Sequence, residues 1–151
     1  MSRLRLPALA AALAVVAVLA HLGLQSHDRQ STADRNREQA ESAVRASAQV
    51  YAAKLPAAFG TGPKSEADLT ALADGTTVRF VGGESRPGEV VVTFKSTLAY
   101  AAPPSPFPTS ASVCFRDVLT GSGGAVRSEL STIPCAELIT VRPGGQLSLS
   151  P

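Results

Sequence analysis

The side chains in this chain best suited to covalent chemistry are its two cysteines, Cys114 and Cys135. A pair of thiols can close a disulfide, contribute to a metal site or cycle as a redox couple. A zinc site needs three or four ligands. The only histidines are His21 and His27, far from either cysteine in sequence. The pair is therefore read as a structural disulfide, the expected fate of paired cysteines in a small exported domain. Its loop of 21 residues corresponds to roughly 3 kcal/mol of chain-entropy stabilisation.

The other chemistry-bearing residues form no recognisable machinery. Gly60-Thr61-Gly62-Pro63-Lys64-Ser65 partly matches a phosphate-binding loop. That loop requires its second glycine directly before the lysine, and here Pro63 intervenes. A serine nucleophile needs a base, and no histidine lies beyond His27. Lys54, Lys64 and Lys95 could in principle partner a serine, but no motif marks such a dyad. Glu66 and Asp68 read as helix-start residues, and Arg116-Asp117 reads as a solvated charge pair on opposite faces of a strand. His21 is an interfacial residue at the end of an apolar run, or a proton relay there. No catalytic, cofactor-binding or metal-binding residue is assigned, and no cofactor is expected.

The segment that sets the address of these residues is the N-terminus. Arg3 and Arg5 precede an uncharged apolar run, Leu6 to Leu24. Basic residues before such a run mark an export signal with the basic end in the cytoplasm. The run has 19 residues, about 28 Å of helix against a hydrocarbon core of about 30 Å. Pro7 falls in the first turn, where proline is tolerated. Two fates follow. Uncleaved, residues 6–25 form a signal anchor, with residues 1–5 as a cytoplasmic basic end. Cleaved after Val18-Leu19-Ala20, they form a signal peptide and the remainder is secreted. No cysteine near the run invites lipid modification.

Charge and composition exclude one partner class. Of 14 Lys/Arg, Arg3 and Arg5 belong to the topology signal; the remaining 12 equal the 12 Asp/Glu, so the exported part is neutral. A nucleic-acid face needs clustered cations, and Arg29, Arg35 and Arg37 alternate with Asp28, Asp34 and Glu38. No nucleic acid is expected. Aromatics are sparse, tryptophan is absent, alanine is abundant and arginine exceeds lysine, a composition of GC-rich bacterial genomes.

Ser26 to Leu55 contains no Gly or Pro and is rich in helix formers. Ala33, Ala40, Val44, Ser47, Tyr51 and Leu55 recur at helical spacing. Residues 26–56 are thus expected as a juxtamembrane helix, with Ser31/Asp34 as a capping box, Glu41–Arg45 as an ion pair and Pro56 as its end. The stripe Ala40, Val44, Ser47, Tyr51 packs either on its own domain or on another helix, from an envelope partner or a second copy. A short helix opens at Ser65-Glu66-Ala67-Asp68 and carries Leu69 and Leu72.

From Thr76 the period becomes two. Strands are expected at 76–80, 90–100, 111–120, 125–133 and 137–142, with Gly82 to Gly88 as a hairpin loop and Gly121 to Gly124 as a turn. In Pro103-Pro104-Ser105-Pro106-Phe107-Pro108 four prolines stiffen the chain, as a structural loop or as a ligand for a proline-recognising partner. Residues 144–151 read as a flexible tail.

The expected fold is α+β: a transmembrane or signal helix continuing into a long helix, then a small antiparallel sheet of four to five strands with one disulfide, over residues 57–143. In outline this resembles the type IV pilins and pseudopilins. The resemblance is one of architecture. Their processing site is a glycine before a methyl-acceptor aromatic, followed by an apolar run with glutamate at its fifth position. Here Gly23-Leu24 ends the apolar run and no Glu lies in it. The expected function is a single-pass, membrane-anchored extracytoplasmic binding or assembly protein of a bacterial envelope, acting by docking. The alternative is a secreted small-ligand-binding or inhibitor domain.

Overall fold

The computed structural model describes residues 5–121, 125–139 and 145–149, with side chains from residue 28 onward. One helix, α1 (Arg5–Gly60), leads into an antiparallel sheet, and Cys114 is bonded to Cys135. The side chains of Leu6 to Leu24, including His21, and that of His27 lie outside the described set. Among the described residues no helix is long and apolar enough to cross a membrane.

The sheet is a meander of β2 (Val78–Arg86), β3 (Glu89–Tyr100), β4 (Thr109–Thr120) and β5 (Arg127–Ile133), in that spatial order. The C-terminal half of α1 lies across β3 and β4. Its contact stripe is Ala40, Val44, Ala48, Tyr51, Ala52, Leu55 and Phe59, all buried. Three alanines in that stripe let the helix backbone approach the sheet closely, while Tyr51 supplies volume. Tyr51 meets Phe94 edge-on with ring centroids 4.8 Å apart, and Phe94 stacks on Phe115 at 5.5 Å. This aromatic row is the centre of the core.

Several local expectations give way to long-range packing. The helix does not stop at Pro56 but continues to Gly60, because its last turn buries Phe59 beside Leu55. Ser31 caps nothing. The helix is already formed upstream, no free N–H awaits it, and its hydroxyl bonds back to the Asp28 carbonyl at 2.9 Å. Glu41 pairs with Arg37 at 2.8 Å instead of Arg45, which reaches across to Thr132 on β5. The capping box on α2 (Glu66–Leu72) does form. Ser65 N–H donates to Asp68 Oδ2 at 2.9 Å, and Asp68 N–H donates to Ser65 Oγ at 3.3 Å. The Ser65 N–H and the Ser65 hydroxyl, which donates to the same Oδ2 at 2.8 Å, hold the exposed Asp68 carboxyl below its ordinary pKa.

The stretch Gly82 to Gly88 is strand rather than loop. β2 pairs with β3 down to Arg86–Glu89, leaving Pro87-Gly88 as the turn, with Gly88 at φ +77°. A bulge between Phe80 and Gly82 rephases β2, so that Gly83 faces the helix side. A side chain there would overlap the Val91 carbonyl oxygen and come within 2.8 Å of Leu147 Cδ1. Leu147 belongs to β6 (Gln146–Leu147), which pairs with β1 (Lys64–Ser65). Residues 146–147 are therefore paired as a strand, with Leu147 buried in the core.

A fifth sheet strand at 137–142 is not formed at its start. Cys135–Glu137 make a 3-10 turn, and Leu138 and Ile139 follow it outside any strand. Residues 140–142 lie outside the described set, as do 122–124 of the expected glycine turn. The chain is drawn over the face of the sheet instead of alongside β5 by its bonds to Cys114, Arg116 and Thr93.

Candidate functional site

The chemistry-bearing residues fall on two faces of the sheet and at one end. On the face away from α1, residues 134–139 form a strap. Cys135 is bonded to Cys114 with the Cα atoms 5.2 Å apart. Glu137 pairs with Arg116 at 3.5 Å. Further on, the Thr93 hydroxyl lies 3.0 Å from the carbonyls of Gly82 and Ile139 and accepts the Ile139 N–H at 3.2 Å. These anchors run across β4 and β3 in turn. They explain why Val91, Thr93 and Cys114 are buried although they point away from the helix.

On the helix face, Ala40, Val44 and Tyr51 are inside the domain's own core. Ser47 is half-buried, and its hydroxyl accepts the Thr77 N–H at 3.3 Å. Of the two readings of this stripe, packing on the domain's own sheet is the one observed. An interface with a further helix has no access to Ala40, Val44 or Tyr51. The Tyr51 hydroxyl donates to the Leu69 carbonyl at 3.1 Å, tying α1 to α2. Burial, and secondarily the charge of Asp117, push the Tyr51 pKa up.

Asp117 is a site residue that the sequence reading placed in water and the structure places in the core. It is fully buried. Ser128 Oγ on β5 lies 2.7 and 2.8 Å from its two carboxylate oxygens. A signal was present: Val113, Phe115, Asp117 and Leu119 share one parity on the strand, so Asp117 sits on the apolar face. Burial raises the Asp117 pKa, while the bonds from Ser128 and the Glu129 N–H act in the opposite direction. For an acid raised on folding, the native state binds more protons than the unfolded chain. Its contribution is most favourable below the ordinary carboxylate range, and falls as pH rises through the raised value. Asp117→Asn keeps an acceptor for Ser128 and removes the ionisation. Relative to wild type, the variant should gain stability as pH rises above the ordinary carboxylate range. Denaturant midpoints of the two proteins that run parallel with pH would refute this assignment.

Lys54 and Lys64 are engaged by the fold. Lys54 Nζ donates to the Leu72 carbonyl at 2.9 Å, and Lys64 Nζ to Thr61 Oγ1 at 3.0 Å. The Gly60–Ser65 segment thus ends one helix and caps the next. Among the described residues no three His, Cys, Asp or Glu side chains gather as a metal site.

The third location is the end of the sheet from which α1 departs. The β3–β4 loop, residues 101–108, is tied to α1 by Asn36 Nδ2, which donates to the Ala101 carbonyl at 2.9 Å. Phe107 on this loop is 76 % exposed. Beyond Asn36, residues 28–35 of α1 are polar apart from Ala33 and mostly exposed, a helical stalk with no core of its own. No protein-family model matches the chain, and no curated protein or solved structure matches it.

Proposed function

We propose that the chain is a single-pass, membrane-anchored extracytoplasmic docking protein of a bacterial envelope. Its N-terminus is cytoplasmic and its disulfide-bonded domain lies outside. The observation that carries this reading is the continuity of α1. One 56-residue helix joins the apolar run to the stripe at the centre of the domain core. A polar, exposed stretch separates the two, as expected of a helix crossing water between a membrane and a folded body. The domain acts by contact. Tyr51, Asp117, Lys54 and Thr93 are each committed to an internal bond, and partners are an envelope protein or a second copy.

The native protein recovered from membranes should keep its full mass and resist alkaline extraction. Intact-mass measurement checks this. A mature N-terminus at His21 with the protein in the soluble fraction overturns the anchor in favour of a secreted binding domain.

A further inference from the structure

We propose that the β3–β4 loop, Pro103 to Pro108, is a second membrane contact that seats Phe107 in the lipid headgroup layer. The inference rests on the anchored reading above. Three observations carry it.

The first is position. β3 runs antiparallel to α1: Phe94 packs on Tyr51, and Ala101 is bonded to Asn36. The loop therefore lies at the end of the domain facing the apolar run. Leu24 and Asn36 are separated by 12 residues, about 18 Å of helix, of which the headgroup layer takes about 5–7 Å. Phe107 stands two residues beyond Thr109, where β4 begins, a reach of about 7 Å before the ring is counted. An upright helix leaves a gap of a few Å. A tilt of about 20° is ordinary for a spanning helix, and toward the sheet it lowers a point about 10 Å off the axis by about 3 Å.

The second is charge. No charged residue lies between Lys95 and Arg116. This hairpin and its tip carry nothing that lipid would have to desolvate as an ion.

The third is hydrogen bonding. An N–H without a partner is the main obstacle to placing a loop against lipid. In Pro103 to Pro108 four residues have no N–H. Ser105 N–H donates to the Ala102 carbonyl at 3.0 Å, and Phe107 N–H donates to Ser105 Oγ at 3.2 Å. Every backbone donor of the tip is absent or satisfied within the loop. The aromatic ring is thus presented outward from a stiff, charge-free segment with no unpaired backbone N–H.

The chain contains no tryptophan, so Phe107→Trp is a single-site probe at an exposed position. The full-length variant is reconstituted into vesicles of phosphatidylcholine and phosphatidylglycerol, with Val50→Trp, exposed on α1, as the comparison. The expected result is that Phe107→Trp floats with the vesicles after alkaline wash, emits at shorter wavelength than Val50→Trp, and loses intensity when the lipids are brominated near the headgroup. Emission matching Val50→Trp in floated protein overturns the loop contact and leaves the anchor standing. Blue-shifted emission that brominated lipid does not quench means that protein covers Phe107, and also overturns it. Failure to float overturns the anchor, and this contact with it.

Discussion

Tyr51→Ala should destabilise the domain by about 3–5 kcal/mol, the cost of truncating a large buried aromatic side chain. The ring is fully buried, packs edge-on against Phe94 and sits at the crossing of α1 with the sheet. Its hydroxyl holds the Leu69 carbonyl of α2, so truncation also leaves an acceptor without its donor. Tyr51→Phe separates the two effects. It keeps the ring and should cost about 1 kcal/mol, as for the loss of one hydrogen bond. Total stabilities of about 5–15 kcal/mol make the alanine variant marginal. Chemical unfolding of the full chain in mild detergent, followed by near-ultraviolet circular dichroism, measures both. A wild-type midpoint for Tyr51→Ala would mean that the stripe is not core and would return it to the role of a helix–helix interface.

What was legible in the sequence was what depends on neighbours a few residues away. The stripe through Val44, Tyr51 and Leu55 follows from helical spacing, and the alternation through Val90, Val92 and Phe94 follows from the pleat. The Ser65–Asp68 box is a four-residue motif, and it forms. The failures share a cause: each was decided by a partner distant in sequence. Gly82 and Gly83 look like loop residues until Leu147 arrives from 64 positions away and needs the space a side chain would fill. The same contact turns a serine-rich end into β6. Pro56 should stop a helix, yet the core contacts of Phe59 carry the helix one turn past it. Leu138 and Ile139 carry the apolar pattern of a strand, but their course is set by Cys114, Arg116 and Thr93 on other strands. Asp117 differs for another reason. Its parity was visible, but a carboxylate is rarely buried. Ser128 and the Glu129 N–H, brought beside it by the β4–β5 pairing, make burial tolerable.

Breaking the Cys114–Cys135 bond should lower stability by about 2–4 kcal/mol and should release the strap before it disturbs the sheet. The bond closes a 21-residue separation that spans the β4–β5 hairpin, so its loss returns freedom mainly to the unfolded chain. Its local effect depends on what else holds residues 134–139. The Arg116–Glu137 pair joins a half-buried arginine to an exposed glutamate and contributes on the order of 0–1 kcal/mol. The Thr93–Ile139 contacts are then the last anchor, and they involve one hydroxyl. Cys135→Ser is the cleaner variant, because Cys135 is exposed whereas Cys114 is 1 % exposed and a serine there would bury a hydroxyl. The variant should unfold at the midpoint of the reduced wild type, and limited proteolysis should cut within 134–139 while the β2–β3 hairpin stays protected. The native, unreduced protein should take up no thiol reagent. Two reactive thiols in protein taken from the envelope, or an unfolding midpoint indifferent to reduction, would remove the disulfide from the account of stability. The strap would then be held by Thr93 and Arg116 alone, too weakly to keep Val91 and Thr93 from water, and the outer face of β3 would be open to a partner.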